Sequence, residues 1–178
     1  MRVLSREEQA RFVSYLLEDM DTCKFGVLLA LFTGVRIGEL CALQWGKISL
    51  KEQTIRIDAT LQRLRDTSAV GSARTRIVIS TPKSDTSVRT IPVTDYTAEL
   101  CGKMAPHSSA AYVLTGTDSF MEPRALQYRM EKYTRKCGLE GVHFHTLRHT
   151  FATRAVEVGF EIKSLSEVLG HSPACGQA

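Results

Sequence analysis

After Trp45-Gly46 the period of the sequence changes from helical to extended, and it changes back near Asp95. On the early side, Ser5-Arg6-Glu7-Glu8 has the spacing of a capping box, and Phe12, Val13, Leu16 and Leu17 recur at helical intervals, which predicts a helix over 6–20. The apolar run 25–32 stops at Thr33-Gly34, and 36–43 resumes with Ile37, Leu40, Cys41 and Leu43 as its apolar set, so two short helices meet around a glycine. Between the two helical zones lie three short β-branched segments, 54–57, 75–79 and 88–93, read as the strands of a small antiparallel sheet. The second and third are separated by a turn-rich stretch, 80–87, which puts Lys83 at a hairpin tip, and the small residues of 67–73 predict a mobile loop. Helical patterns then cover 95–104, 122–137, 146–158 and 162–169, broken by Pro106-His107-Ser108-Ser109, Gly138 and Gly159. The predicted fold is α+β and mainly helical, with helices around a small three-stranded antiparallel sheet.

The chain has 178 residues, 43% of them hydrophobic and 24% charged, enough apolar material for one well-packed domain. No repeat, low-complexity tract or domain-separating linker divides it, so 1–178 reads as a single domain. No apolar run approaches the ~20 residues that span a bilayer. The N-terminus carries acids instead of an apolar signal core, which leads to a cytoplasmic expectation. The five cysteines are odd in number and form no Cys-x-x-Cys pair, as expected of free thiols in a reducing compartment. Lys and Arg outnumber Asp and Glu by 23 to 19, a formal charge of +4 that permits a nucleic-acid partner without requiring one.

The densest chemistry lies in His145-Thr146-Leu147-Arg148-His149, where a helix would project positions 145, 148 and 149 from one face, two imidazoles flanking a guanidinium. Taken alone this is more simply a polar helix start facing solvent. A metal-dependent hydrolase using His143, His145 and His149 is a further alternative, although Thr146 stands where the zinc-protease pattern needs a glutamate base. Three other segments accompany it in order: Thr33-Gly34-Val35-Arg36-Ile37-Gly38-Glu39-Leu40, then Thr81-Pro82-Lys83-Ser84, and finally Leu169-Gly170-His171-Ser172.

Together, and in this order, the four segments resemble the tyrosine recombinases, the phage-integrase family of site-specific DNA recombinases, and the resemblance covers nearly the whole chain as that family's C-terminal catalytic domain. It implies that Arg36 and Arg148 grip the scissile phosphate, a task suited to guanidinium forks. It further implies that Lys83 protonates the departing 5′ oxygen, and that His145 and His171 hydrogen-bond the phosphate and assist proton transfer. Glu39 becomes a supporting partner of Arg36, and His149 a structural residue. The implied reaction is strand cleavage and rejoining through a 3′-phosphotyrosyl intermediate, without cofactor or metal.

The family's nucleophilic tyrosine is expected two to three helical turns past His171, and the sequence departs from the pattern there. The five tyrosines, Tyr15, Tyr96, Tyr112, Tyr128 and Tyr133, all precede His171. The expectation is therefore a catalytic domain that is C-terminally incomplete, lacks the family's N-terminal core-binding domain and is inactive alone. The alternative is a DNA-binding remnant that occupies sites or interferes with intact recombinases. The expected partner is duplex DNA, contacted by Arg63, Arg65, Arg74 and Arg76 around the hairpin and by Arg124, Arg129, Lys132, Arg135 and Lys136 on the basic helix. Full-length members assemble as tetramers on DNA; this chain is expected to be a monomer in solution.

Overall fold

The computed structural model describes residues 2–65, 75–80 and 88–170. Helix α1 (Arg6–Leu17) starts on a reciprocal cap: the Glu8 N–H donates to Ser5 Oγ at 3.1 Å and the Ser5 N–H donates to Glu8 Oε2 at 2.9 Å. It ends three residues short of the predicted boundary, because Asp19 takes a left-handed backbone (φ 45°) and Asp21 caps the next helix by accepting from the Lys24 N–H at 2.8 Å. That helix, α2 (Thr22–Thr33), is apolar on every side and runs through the middle of the core, packed by α1, α4, α5 and α6. Leu114 occupies the space where a side chain on Gly26 would point.

Gly34 ends α2 with φ +68°, and a Cβ there would stand 2.7 Å from Phe151 and 2.8 Å from Leu169, so only glycine permits the turn and the close approach together. The turn releases the chain into α3 (Ile37–Ala42). A Cβ on Gly38 would lie 2.7 Å from both the Leu61 carbonyl oxygen and Thr60 Oγ1, and this contact seats α3 directly under a strand.

The strands pair differently from the sequence expectation. A three-stranded antiparallel sheet forms from β1 (Ile48–Ser49), β2 (Thr54–Ile57) and β5 (Arg89–Pro92), in the order β1-β2-β5. The predicted strand over 75–79 does not join it. As β4 (Thr75–Ser80) it instead pairs with β3 (Thr60–Arg65) in a separate two-stranded ribbon, Thr60 opposite Ser80 and Arg65 opposite Thr75. Sequence patterning missed β3 because Gln62, Arg63 and Leu64 are all exposed, which leaves little alternation to detect. The expected loop over 67–73 and the hairpin tip at Lys83 lie outside the described residues.

The remaining helices fall close to expectation: α4 (Asp95–Met104), α5 (Pro123–Lys136), α6 (Phe144–Glu157) and α7 (Ile162–Leu169). Cys23, Cys41, Cys101 and Cys137 are free and buried; burial pushes the Cys41 thiol up to about 12 and the Cys101 thiol to about 11. Among the described residues no helix is long and apolar enough to cross a membrane.

Candidate active site

The site is assembled where the α2–α3 turn, β5, the first turns of α6 and the C-terminal end of α7 meet. Arg36 sits at the N-cap of α3, with its side chain 39% exposed. Its backbone N–H donates to Glu39 Oε2 at 2.8 Å, its Nη1 to Glu39 Oε1 at 2.9 Å and its Nη2 to the Gly170 carbonyl at 3.2 Å. Glu39 itself is only 4% exposed. Its second cationic partner is Arg89 of β5, which donates to both carboxylate oxygens, at 2.8 and 2.9 Å. Burial alone would raise the Glu39 pKa, but the hydrogen bonds and charge of Arg89, reinforced by Arg36, outweigh it and hold the carboxyl below its ordinary value.

Arg148 of α6 is buried, and it donates from Nη1 to the Gly34 carbonyl at 2.7 Å and from Nη2 to the Leu169 carbonyl at 2.6 Å. Burial, followed by the charge of Arg36, pushes its pKa down to about 10, so it remains cationic at neutral pH. Arg89 Nε donates to the Val168 carbonyl at 2.6 Å. Three guanidiniums thus cap consecutive carbonyls at the end of α7, groups a helix C-terminus leaves without intrahelical partners.

His145 lies in the first turn of α6 and is exposed. With His143 and His149 it lines an open groove of ≈ 580 Å³ whose other wall includes Ile37, Gln127 and Met130. The expectation that 145, 148 and 149 share one face is corrected: His145 and His149 face the groove, while Arg148 turns inward to the carbonyls of Gly34 and Leu169. Burial, then the charges of His145 and Arg148, holds the His149 pKa below its usual value. Among the described residues no three His, Cys, Asp or Glu side chains converge as metal ligands, so His143, His145 and His149 form no such set in this arrangement.

A second groove, between the β3–β4 ribbon and the start of α5, continues from the first through the shared residues Ile37 and Gln127 and is lined by Arg63 and Arg124. Arg63 is paired with Glu122 at 2.7 Å, and Arg76 is exposed on β4. The basic helix is divided by its own geometry. Arg124 lines the groove, whereas Arg129 faces Asp21 and Tyr133 on the α1–α2 side, Lys132 lies over the Tyr128 ring at 4.5 Å, and Arg135 and Lys136 are exposed. Lys83, Arg74, His171 and the side chain of Arg65 lie outside the described residues.

Arg89 is the site residue that sequence reading missed. Its signal was strand alternation: Ile91 points into the core, so Arg89, two residues earlier, must share that face, and a buried arginine needs a carboxylate.

The fold is that of a recombinase-type catalytic domain. The phage integrase family profile matches residues 2–174, and the chain belongs to that family as a tyrosine recombinase catalytic domain. Among curated relatives it is 29% identical over 177 residues to the tyrosine recombinase XerA of Thermococcus kodakarensis, covering 96% of this chain and 54% of that protein. It is 32% identical over 152 residues to a tyrosine recombinase of Pseudothermotoga lettingae, covering 81% of this chain and 43% of that protein. A XerC-like tyrosine recombinase of Caldanaerobacter subterraneus is 27% identical over 164 residues, 82% of this chain and 41% of that protein. The chain thus spans about half the length of the curated relatives it matches. The same fold occurs in the Tn1549 transposon integrase solved with circular intermediate DNA (TM-score 0.75, 23% identity, covering 96% of this chain and 58% of that one). It occurs also in XerA recombinase (TM-score 0.69, 22% identity, 97% and 57%).

Proposed function

We propose that this domain binds duplex DNA and serves site-specific recombination, with the Arg36–Arg148 pair as the receptor for the scissile phosphate. The observation that supports this most is geometric: Arg148 and Arg36 donate to the adjacent carbonyls of Leu169 and Gly170, at 2.6 and 3.2 Å, and two guanidiniums brought together in a partly buried setting leave a positive focus that an anion relieves. Arg148 spends two of its N–H groups on carbonyls. An arginine carries about five such donors, so roughly three remain for phosphate oxygens. The Arg36 side chain is 39% exposed and precedes Ile37, which lines the groove beside His145; in this reading the charge growing on the phosphorane falls to fixed donors that need no reorganisation.

The chemical step in this reading is attack of a tyrosine phenolate on phosphorus, which forms a 3′-phosphotyrosyl bond and expels the 5′ oxygen. Lys83 delivers the proton to that oxygen, while His145 and His171 hydrogen-bond the phosphate. The five tyrosines of residues 1–178 are poor candidates for the nucleophile. Tyr15 and Tyr133 pack together, Tyr96 packs on Phe32, Tyr112 on Phe120, and Tyr128 lies under Lys132. In this reading the polypeptide 1–178 binds DNA and forms no adduct through these five tyrosines.

The test is a salt titration of duplex binding by this polypeptide and its Arg36→Ala variant. Affinity should fall steeply with salt, and the variant should bind more weakly with a slope smaller by about one phosphate contact. Binding that is absent, or that ignores Arg36, would overturn the reading. A nicked suicide duplex should yield no covalent product, and an adduct mapped to any of the five tyrosines would refute the second part.

A further inference from the structure

We propose that Arg89 is a positioning residue of this site: without meeting substrate, it fixes the direction of Arg36 through Glu39 and locks the end of α7 against the same cluster. The proposal rests on the reading of Arg36 as a phosphate ligand and adds the element that aims it.

Arg89 lies on the core side of β5, its side chain only 6% exposed, so it cannot reach a bound duplex from where it stands. Its two Nη groups hold both oxygens of Glu39, at 2.8 and 2.9 Å. A bidentate guanidinium–carboxylate pair has one geometry, so the plane of the Glu39 carboxylate is set from below. The same two oxygens then receive Arg36 from above, Oε2 taking its backbone N–H and Oε1 taking its Nη1. Glu39 transmits the placement, since without Arg89 its carboxylate can rotate or be drawn toward solvent and Arg36 follows it.

The third branch runs to α7. Arg89 Nε donates to the Val168 carbonyl at 2.6 Å, and its guanidinium packs on Gly170, where a Cβ would stand 3.0 Å from Nη1 and 3.2 Å from Cζ. Gly170 is also the residue whose carbonyl accepts from Arg36 Nη2. Arg36 is therefore held at both of its terminal nitrogens by groups that Arg89 holds in turn. Lysine at position 89 keeps the charge but has one nitrogen, and cannot serve two carboxylate oxygens and a carbonyl in this geometry.

The experiment uses the 178-residue polypeptide with Arg89→Lys, Arg89→Met and Arg36→Ala. Folding is first verified by circular dichroism, with Arg89→Lys as the variant that retains the buried charge. Two readouts follow. The Arg36 Nε–Hε resonance reports the order of its guanidinium directly, and should be a single dispersed signal in the parent that broadens or averages in both Arg89 variants. Affinity for a 30-base-pair duplex should fall about tenfold in Arg89→Lys, as in Arg36→Ala, with little further loss in the double variant, because one charge-assisted contact is lost either way. A folded Arg89→Lys or Arg89→Met protein whose Arg36 resonance is unchanged overturns the proposal. An Arg36 signal that averages in the variants while Arg36→Ala binds DNA like the parent upholds the positioning role and overturns the phosphate-ligand reading instead.

Discussion

Replacing Glu39 by glutamine changes one atom type and tests the whole cluster. The native carboxylate is 4% exposed and accepts four hydrogen bonds of 2.8–2.9 Å, two from Arg36 and two from Arg89. The amide keeps the shape but loses the charge, and its NH2 group must face a guanidinium N–H, so at least one donor pair is opposed. Leaving a buried guanidinium without its counter-charge costs about 3–5 kcal/mol, a large part of the ~5–15 kcal/mol that holds a domain folded. With a urea slope of about 2 kcal/mol/M, the unfolding midpoint should fall by about 2 M with the slope unchanged. Acid should erase the difference. Because the folded-state pKa of Glu39 is depressed, its contribution is fully present above the unfolded value near 4.5 and is lost as pH falls through the lower folded value. Parent and variant should therefore converge only as pH falls through that depressed folded-state value. A loss under about 1 kcal/mol at pH 7, the size expected of a solvent-exposed ion pair, would refute the claim that this carboxylate is the buried partner that joins Arg36 to Arg89.

Other consequences follow from the same geometry. Gly34→Ala must place a Cβ into Phe151 and Leu169 at positive φ, and Gly170→Ala must press on Arg89 at φ +65°; each should cost about 1–3 kcal/mol in chemical denaturation, whereas alanine at Gly138, also at positive φ but with open space around its Cβ, should show the smaller, purely backbone penalty. Removing the exposed Lys103–Glu99 pair by Glu99→Gln should leave the midpoint where it is. The thiols of Cys41 and Cys101, pushed up to about 12 and about 11 by burial, should resist an aromatic disulfide reagent at pH 8 until the protein is unfolded; mass mapping of early labelling to either would contradict their placement.

The helices were legible in the sequence because each carries its own signal. Ser5 and Glu8 announce α1, and the apolar run of α2 announces a central helix wherever it sits. The strand pairing was not, and the reason is physical. Register is strongly specified only where one face is buried, and β3 exposes Gln62, Arg63 and Leu64 in succession. A two-stranded ribbon that packs on α3 through Leu61 but exposes most of β3 writes little of its pairing into alternation. Arg36, Arg148 and His145 were singled out through ordered motifs, but the motif reading put positions 145, 148 and 149 on one face. It had no means of knowing that the carbonyls of Gly34 and Leu169 would draw Arg148 inward.

Arg89 shows where sequence reading could have gone further. Glu39 sits among Gly38, Leu40, Cys41 and Ala42, all buried, so a carboxylate there demands a cation from elsewhere in the chain. The candidates are few once strand alternation is applied, because the core-facing positions of β5 are Arg89 and Ile91. A buried acid on a short helix and a buried base on a strand, 50 residues apart, require each other. What they cannot predict is the third partner. The carbonyls of Val168, Leu169 and Gly170 carry no side-chain signature, and they become acceptors only because α7 ends at a left-handed glycine against this cluster. Arg36, Arg89 and Arg148 are thus organised as much by the end of a helix as by their own motifs, which is why a perturbation at Gly170 should be felt at Arg36.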